Sequence, residues 1–219
     1  MSLPDDTRKL IIDLDDTCID TLTGFVKWLS TLDRLKGVAG NKISNREHLG
    51  HWLNIPDELA DLWMNEFCEH SWQWGALLPL LGAEKVLKHF PLNGWTVVGY
   101  SKASKDMHRA ILRRANLELL FPGVIKELYV VPRNTNLYSL LVGHDDAVCV
   151  TSTESVARAS AQAGHATYLI NQPWNVNFSD ISVRKFNNWH DIGKELLLSL
   201  IHISEPTRQA EISYAVFCL

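Results

Sequence analysis

Residues Leu10-Ile11-Ile12-Asp13-Leu14-Asp15-Asp16-Thr17 constrain this chain more than any other segment. An apolar run ends abruptly in a cluster of carboxylates, with Asp13 and Asp15 two residues apart. On a strand, that spacing points both side chains the same way. At the carboxyl end of a buried parallel strand, the pair stands where open α/β sheets bind ligands. Two like charges held so close need a counter-charge, and a bound Mg²⁺ is the natural one. A strand running into a plain acidic turn has the same spelling, but Thr17 and the apolar run in front favour a site.

Five β-like runs can be placed, at 9–14, 95–100, 128–131, 147–150 and 166–170. Helical segments separate the last four. That alternation predicts an α/β fold, a five-stranded parallel sheet with helices on both faces and right-handed crossovers. The helix predicted over 104–116 has apolar residues at 107, 111, 112 and 115, so that face should point inward and leave Arg109, Arg113 and Arg114 wet. Between the first two runs the chain is too long for one crossover. The excess, 21–75, reads as a helical insert, with helices at 22–33, at 46–53 and from Pro56-Asp57-Glu58 to about His70. Residues 1–20 and 76–197 then form the core. Trp28, Trp52, Trp63, Trp72 and Trp74 fall in the insert. Most should fill its interior. Trp72 and Trp74, near the return to the core, are the pair best placed to stack on a nucleobase.

Asp13-x-Asp15-x-Thr17 after an apolar strand resembles motif I of the haloacid-dehalogenase (HAD) phosphohydrolases. The resemblance implies an HAD-like Rossmannoid core, with the insert as a cap over the site. Asp13 would be the nucleophile that forms an aspartyl-phosphate, and Asp15 the general acid and base. Asp13 and the Asp15 carbonyl would hold Mg²⁺, and Thr17 would brace the loop. Motif II of the family, a strand ending in Ser or Thr that bonds the phosphate, is similar to Trp95–Ser101, with Ser101 opening the next helix. For the basic residue of motif III, Arg133 and Lys102 are the candidates. Motif IV departs from the family: Thr151 and Ser152 stand where one or two metal-binding Asp residues are expected. Thr151-x-x-Glu154 reads as a capping box; alternatively Ser152 or Glu154 supplies a weak metal ligand. Asp145 and Asp146 precede the strand, at the opposite edge of the sheet.

Within the superfamily, the order of parts is similar to the 5′(3′)-deoxyribonucleotidase group, through Gly24-Phe25, Pro79-x-x-Gly82-Ala83 and Pro173-Trp174-Asn175. The implied activity is a Mg²⁺-dependent phosphomonoesterase acting on a small phosphorylated substrate, a nucleotide or deoxynucleotide. The alternative is an impaired relative that binds a phosphate ligand or protein partner without turnover. A third is a phosphotransferase with an acceptor other than water.

Composition bounds the partners. The 219 residues carry a formal charge of −4, with no long basic run, which argues against a nucleic-acid polymer. No apolar run is long enough to span a bilayer, and the polar start is unlike a signal peptide, so the expected setting is the cytoplasm. Cys18, Cys68, Cys149 and Cys218 show no pairing or metal spacing. Residues 198–219 are expected to be foreign to the fold: Leu198–Arg208 and Ile212–Leu219 back-translate into sequences resembling a sequencing-library adapter.

Overall fold

The computed structural model describes residues 8–34, 48–103 and 106–198. From β1 (Arg8–Asp13) the chain runs through α1 (Thr21–Thr31), α2 (Leu49–Leu53), α3 (Asp57–His70) and a 3₁₀ turn (Trp72–Ala76). Two short helices follow, α4 (Ala83–Leu87) and α5 (His89–Leu92). Then come β2 (Trp95–Ala103), α6 (Met107–Leu120), β3 (Ile125–Pro132), α7 (Tyr138–Leu141), β4 (Ala147–Thr151), α8 (Glu154–Gln162) and β5 (Ala166–Ile170). The described chain closes with β6 (Val183–Phe186), α9 (Trp189–Gly193) and a π-helical turn (Lys194–Leu198). Residues 46–47 of the second expected helix, and 199–219 of the expected tail, lie outside the described residues.

All six strands run parallel in the order β3-β2-β1-β4-β5-β6. Five were expected. The sixth, β6, spells Val-Arg-Lys-Phe, and its two central charges hide it from a hydrophobicity reading. At the edge of the sheet one apolar residue on each face is enough to anchor it: Val183 is buried on one side, and on the other Phe186 packs on Tyr168 with ring centroids 4.8 Å apart. The order reverses at β1, which has β2 on one side and β4 on the other. Ligands of open α/β sheets bind at such a reversal, beyond the carboxyl ends of the strands.

Strand alternation divides the core. Leu10 and Ile12 of β1 join one apolar cluster and Ile11 joins another with Val98, Cys149 and Val156, so both faces of the sheet are covered. Gly99 of β2 makes room for the chain leaving β1, because a Cβ there would meet Leu14 Cδ1 at 2.9 Å.

α6 is turned otherwise than its apolar spacing predicts. Met107 and Ile111 are 77% and 59% exposed, Ala115 is exposed, and Leu112 is half-buried. The buried side chains are Arg113, Asn116 and Leu117. Arg113 is therefore not wet, whereas Arg114 is exposed and Arg109 half-buried. The physical reason is that polar partners wait inside, Asp15 for Arg113 and the Leu77 carbonyl for Asn116. β2 also runs further than expected: Ser101 lies within the strand, and Asp106 caps α6 by accepting from His108 N.

The helices between β1 and β2 do not build a separate core. Phe25, Trp28, Met64, Phe67 and Trp74 belong to the same cluster as Leu10 and Ile12. Phe67 stands at its aromatic centre, with ring centroids 5.6 Å from Phe25, 5.6 Å from Trp28 and 6.0 Å from Trp74. Among the described residues, no helix is long and apolar enough to cross a membrane. Phe67→Ala should cost about 3–5 kcal/mol, because the fully buried ring leaves a cavity its neighbours cannot fill. Denaturant titration of the purified variant checks this; a loss under about 1 kcal/mol would mean the helical segment packs independently of the sheet.

Candidate active site

The site forms at the carboxyl end of β1, in the tight loop that follows. The Leu14 carbonyl accepts from the N–H groups of Thr17, Cys18 and Ile19, and Asp16 turns the loop at φ 57°. Left-handed backbone is costly for most residues, but Asp tolerates it through local hydrogen bonds. Here Asp16 Oδ1 accepts from Leu22 N at 2.7 Å, at the start of α1.

Asp13 and Asp15 are both nearly shut off from solvent, at 4% and 3% exposure. Thr151 Oγ1, at the end of β4, donates to Asp13 Oδ2 at 2.8 Å. Asp15 takes three donors from three elements. Ser101 Oγ of β2 donates to Oδ2 at 2.8 Å, and Thr21 Oγ1 of α1 donates to Oδ1 at 2.7 Å. Arg113 Nη2 of α6 pairs with Oδ1 at 3.2 Å. Arg113 is fully buried, lies 3.5 Å from the centroid of Trp74, and donates through Nη1 to Asn116 Oδ1. Burial pulls its guanidinium down from the ordinary arginine value, and Asp15 opposes that pull. Burial likewise pushes the Cys18 thiol well up, so it is a packing residue and not a nucleophile.

Thr17 braces the loop. Its hydroxyl accepts from Ser152 N at 2.9 Å, and its carbonyl accepts from Trp189 Nε1 at 2.7 Å. The Ser152 carbonyl is bonded in turn by Trp174 Nε1 and Asn175 Nδ2, both at 2.9 Å. The segment Gln172-Pro173-Trp174-Asn175 thus clamps the end of β4. Beside the loop, a cleft of about 330 Å³ is lined by Asp16, Asp20, Leu80, Gln172, Pro173 and Trp174. A second, of about 250 Å³, is bordered by Lys27, Trp72 and Leu77.

The structure brings Asp13, Asp15, Thr17, Ser101, Thr151 and Ser152 together. Other expected members stand elsewhere. Arg133 pairs with Asp61 of α3 at 3.0 Å, tying the end of β3 to the helical insert. Lys102 follows Ser101 on the strand, so it leaves on the opposite face. Thr151 does not head a capping box: the N-cap of α8 is Thr153, and Thr151 Oγ1 accepts from Thr153 N while donating to Asp13. Of the two tryptophans expected near a base, Trp72 is 75% exposed and Trp74 is buried against Arg113. Arg113, Thr21 and Trp189 join the site although sequence reasoning gave them no part in it, and Asn175, named only within a segment of resemblance, anchors its clamp.

Magnesium needs hard oxygen ligands in a near-octahedral shell. Here one oxygen of Asp13 already accepts from Thr151, and Asp15 is taken up by two hydroxyls and a guanidinium. Hydroxyls fill the places beyond β4 where carboxylates were expected. Among the described residues, no group of three or more His, Cys, Asp or Glu side chains could hold a metal ion, so Glu154 does not complete a set with the two aspartates. The side chains present therefore do not form the set of carboxylates expected around a resident Mg²⁺.

No protein-family model matches the sequence, and no curated protein is significantly similar to it. Solved structures are similar. A predicted phosphatase from Clostridium acetobutylicum superposes with a TM-score of 0.58 at 14% identity, over 87% of this chain and 98% of that one. The L-2-haloacid dehalogenase PA0810 gives 0.53 at 12%, over 87% and 99%. The proposed HAD-hydrolase YfnB from Bacillus subtilis, crystallised with magnesium, gives 0.52 at 13%, over 87% and 98%. The fold is HAD-like. At such identities the likeness is one of fold.

Asn175 allows a direct check on the clamp. Its Nδ2 also donates to the Ile170 carbonyl, and its Oδ1 accepts from Gln172 N. Asn175→Ala should cost about 1–3 kcal/mol, the penalty for buried polar groups left without partners. A melting temperature equal to wild type would show that water replaces the amide freely.

Proposed function

We propose that this chain is an HAD-type phosphohydrolase acting on a small phosphorylated substrate, with a nucleotide as the leading candidate. The observation that supports it best is the convergence of Asp13, Asp15, Ser101 and Thr151 at the carboxyl end of the central strand, where its order reverses. In this reading an Asp13 oxygen attacks phosphorus, an O–P bond forms, and the ester O–P bond breaks. Asp15 gives its proton to the departing oxygen, then takes one from the water that hydrolyses the aspartyl-phosphate. Ser101 and Thr151, which donate to the two carboxylates, orient them. The cleft beside Trp174 and Gln172 offers an apolar wall and an amide for the leaving group. No step here runs through a metal.

One observation favours a second reading, binding of a phosphorylated ligand without turnover. Asp15 already accepts from three donors, one of them a buried guanidinium, so little of its lone-pair capacity is left for the proton that acid–base catalysis needs.

A phosphate-release screen of the full chain over a nucleotide panel separates the two. Hydrolysis should appear in wild type and vanish in Asp13→Asn, because an amide cannot serve as the nucleophile. Asp15→Asn should lose roughly 10²–10⁴-fold, the usual contribution of acid–base catalysis. Equal release from wild type and Asp13→Asn removes Asp13 from the mechanism. Saturable binding without release in any variant supports the second reading.

A further inference from the structure

We propose that Arg113 is a cation built into this centre, a positioning residue that takes the electrostatic place of a divalent metal ion and fixes Asp15 from behind. The inference deepens the proposed function and rests on it for the roles of Asp13 and Asp15. Three observations carry it.

The first is how rigidly the guanidinium is held. Arg113 is fully buried, stacked 3.5 Å from the Trp74 ring centroid and bonded to Asn116, which itself donates to the Leu77 carbonyl at 2.9 Å. Its Nη2 is left for Asp15. A planar, always-charged fork suits a fixed counter-ion better than a flexible ammonium would.

The second is that donors have replaced acceptors. Thr151 and Ser152 occupy the places after β4, and Thr151 spends its proton on Asp13. A cation bound there would meet a hydroxyl already committed as a donor toward the one carboxylate it most needs.

The third is charge. Three carboxylates around a divalent ion leave one net negative charge. Asp13 and Asp15 with one guanidinium leave the same, while Asp16 of the same loop is held separately by the Leu22 N–H. The lost carboxylate and the gained arginine therefore compensate, and the electrostatic balance needed to bury the pair is met without a metal ion.

An ordinary structural ion pair would explain the burial but not the link to metal chemistry, so the test reads metal response in the full chain. Calorimetry with MgCl₂ alone should show no saturable binding to wild type, and its melting temperature should be the same in EDTA and in excess Mg²⁺. Arg113→Met removes the built-in cation. Its melting temperature should fall, and Mg²⁺ should restore several degrees. Arg113→Met with Asp15→Asn should regain stability without metal and lose the Mg²⁺ response. Should Arg113→Met fail to fold in EDTA, refolding it with and without Mg²⁺ gives the same readout, with recovery expected only with the ion. Saturable Mg²⁺ binding by wild type, or an Arg113→Met variant equally unstable with and without Mg²⁺, overturns the proposal. These results are independent of turnover. A chain that releases no phosphate but behaves in this way keeps Arg113 in its role while the phosphohydrolase reading falls.

Discussion

Burial of three aspartates in one short loop sets the terms for the rest of the molecule. Asp13, Asp15 and Asp16 are each at most 4% exposed, and an ionised carboxylate withdrawn from water is costly unless donors surround it. The chain brings those donors from every side: Ser101 from β2, Thr151 from β4, Thr21 and the Leu22 N–H from α1, and Arg113 from α6. Segments separated by more than a hundred residues are thereby tied to one point. Removing one partner of a buried pair leaves an uncompensated charge at a cost of about 3–5 kcal/mol. The loop after β1 is thus a centre of stability as well as a candidate site of chemistry.

That loop also connects the sheet to the helices inserted after it. Phe67 of α3 meets Trp74 edge-on, Trp74 carries the Arg113 guanidinium on its face, and Arg113 holds Asp15. Gly24 permits the close crossing nearby, since a Cβ there would meet Leu77 Cδ2 at 2.2 Å. The aromatic content of the insert, read from sequence as filling for an isolated cap, turns out to serve two ends. It completes one face of the sheet's core, and it positions the surface on which the buried cation rests. A displacement of the 3₁₀ turn would therefore be felt at Asp15.

Much of this was legible before the structure. The strands that build the sheet centre are apolar runs between turn signals, and they stand where periodicity puts them. Asp13, Asp15, Thr17 and Ser101, singled out through the resemblance of their segments to motifs I and II, stand together at the carboxyl end of β1. The misses share one cause. Periodicity assumes that apolar residues point inward, which fails where the buried target is a charge. So α6 is turned otherwise than its apolar spacing predicts, and Arg113, expected in water, faces Asp15. β6 escaped because an edge strand can carry charges in its middle. The motif Thr151-x-x-Glu154 was read locally as a cap, whereas the hydroxyl answers to Asp13 across the sheet, a partner that spacing along the chain cannot reveal.

Hydroxyls beyond β4, with a guanidinium arriving from α6, bear on what the centre can do as well as on how it is held. Phosphoryl transfer depends on positioning and on positive charge placed against the transferring oxygens. A divalent ion would sit against those oxygens. Arg113 instead bonds Asp15 Oδ1, and its charge is single and spread over a planar group. It can hold the acid–base residue in place, but it polarises a bound phosphate less than a metal ion in contact would. In the proposed role, a guanidinium that helps keep the pair buried thus gives less electrophilic help to the reaction. A chain built in this way should favour substrates whose leaving group needs little assistance, or hold its ligand longer than it transforms it.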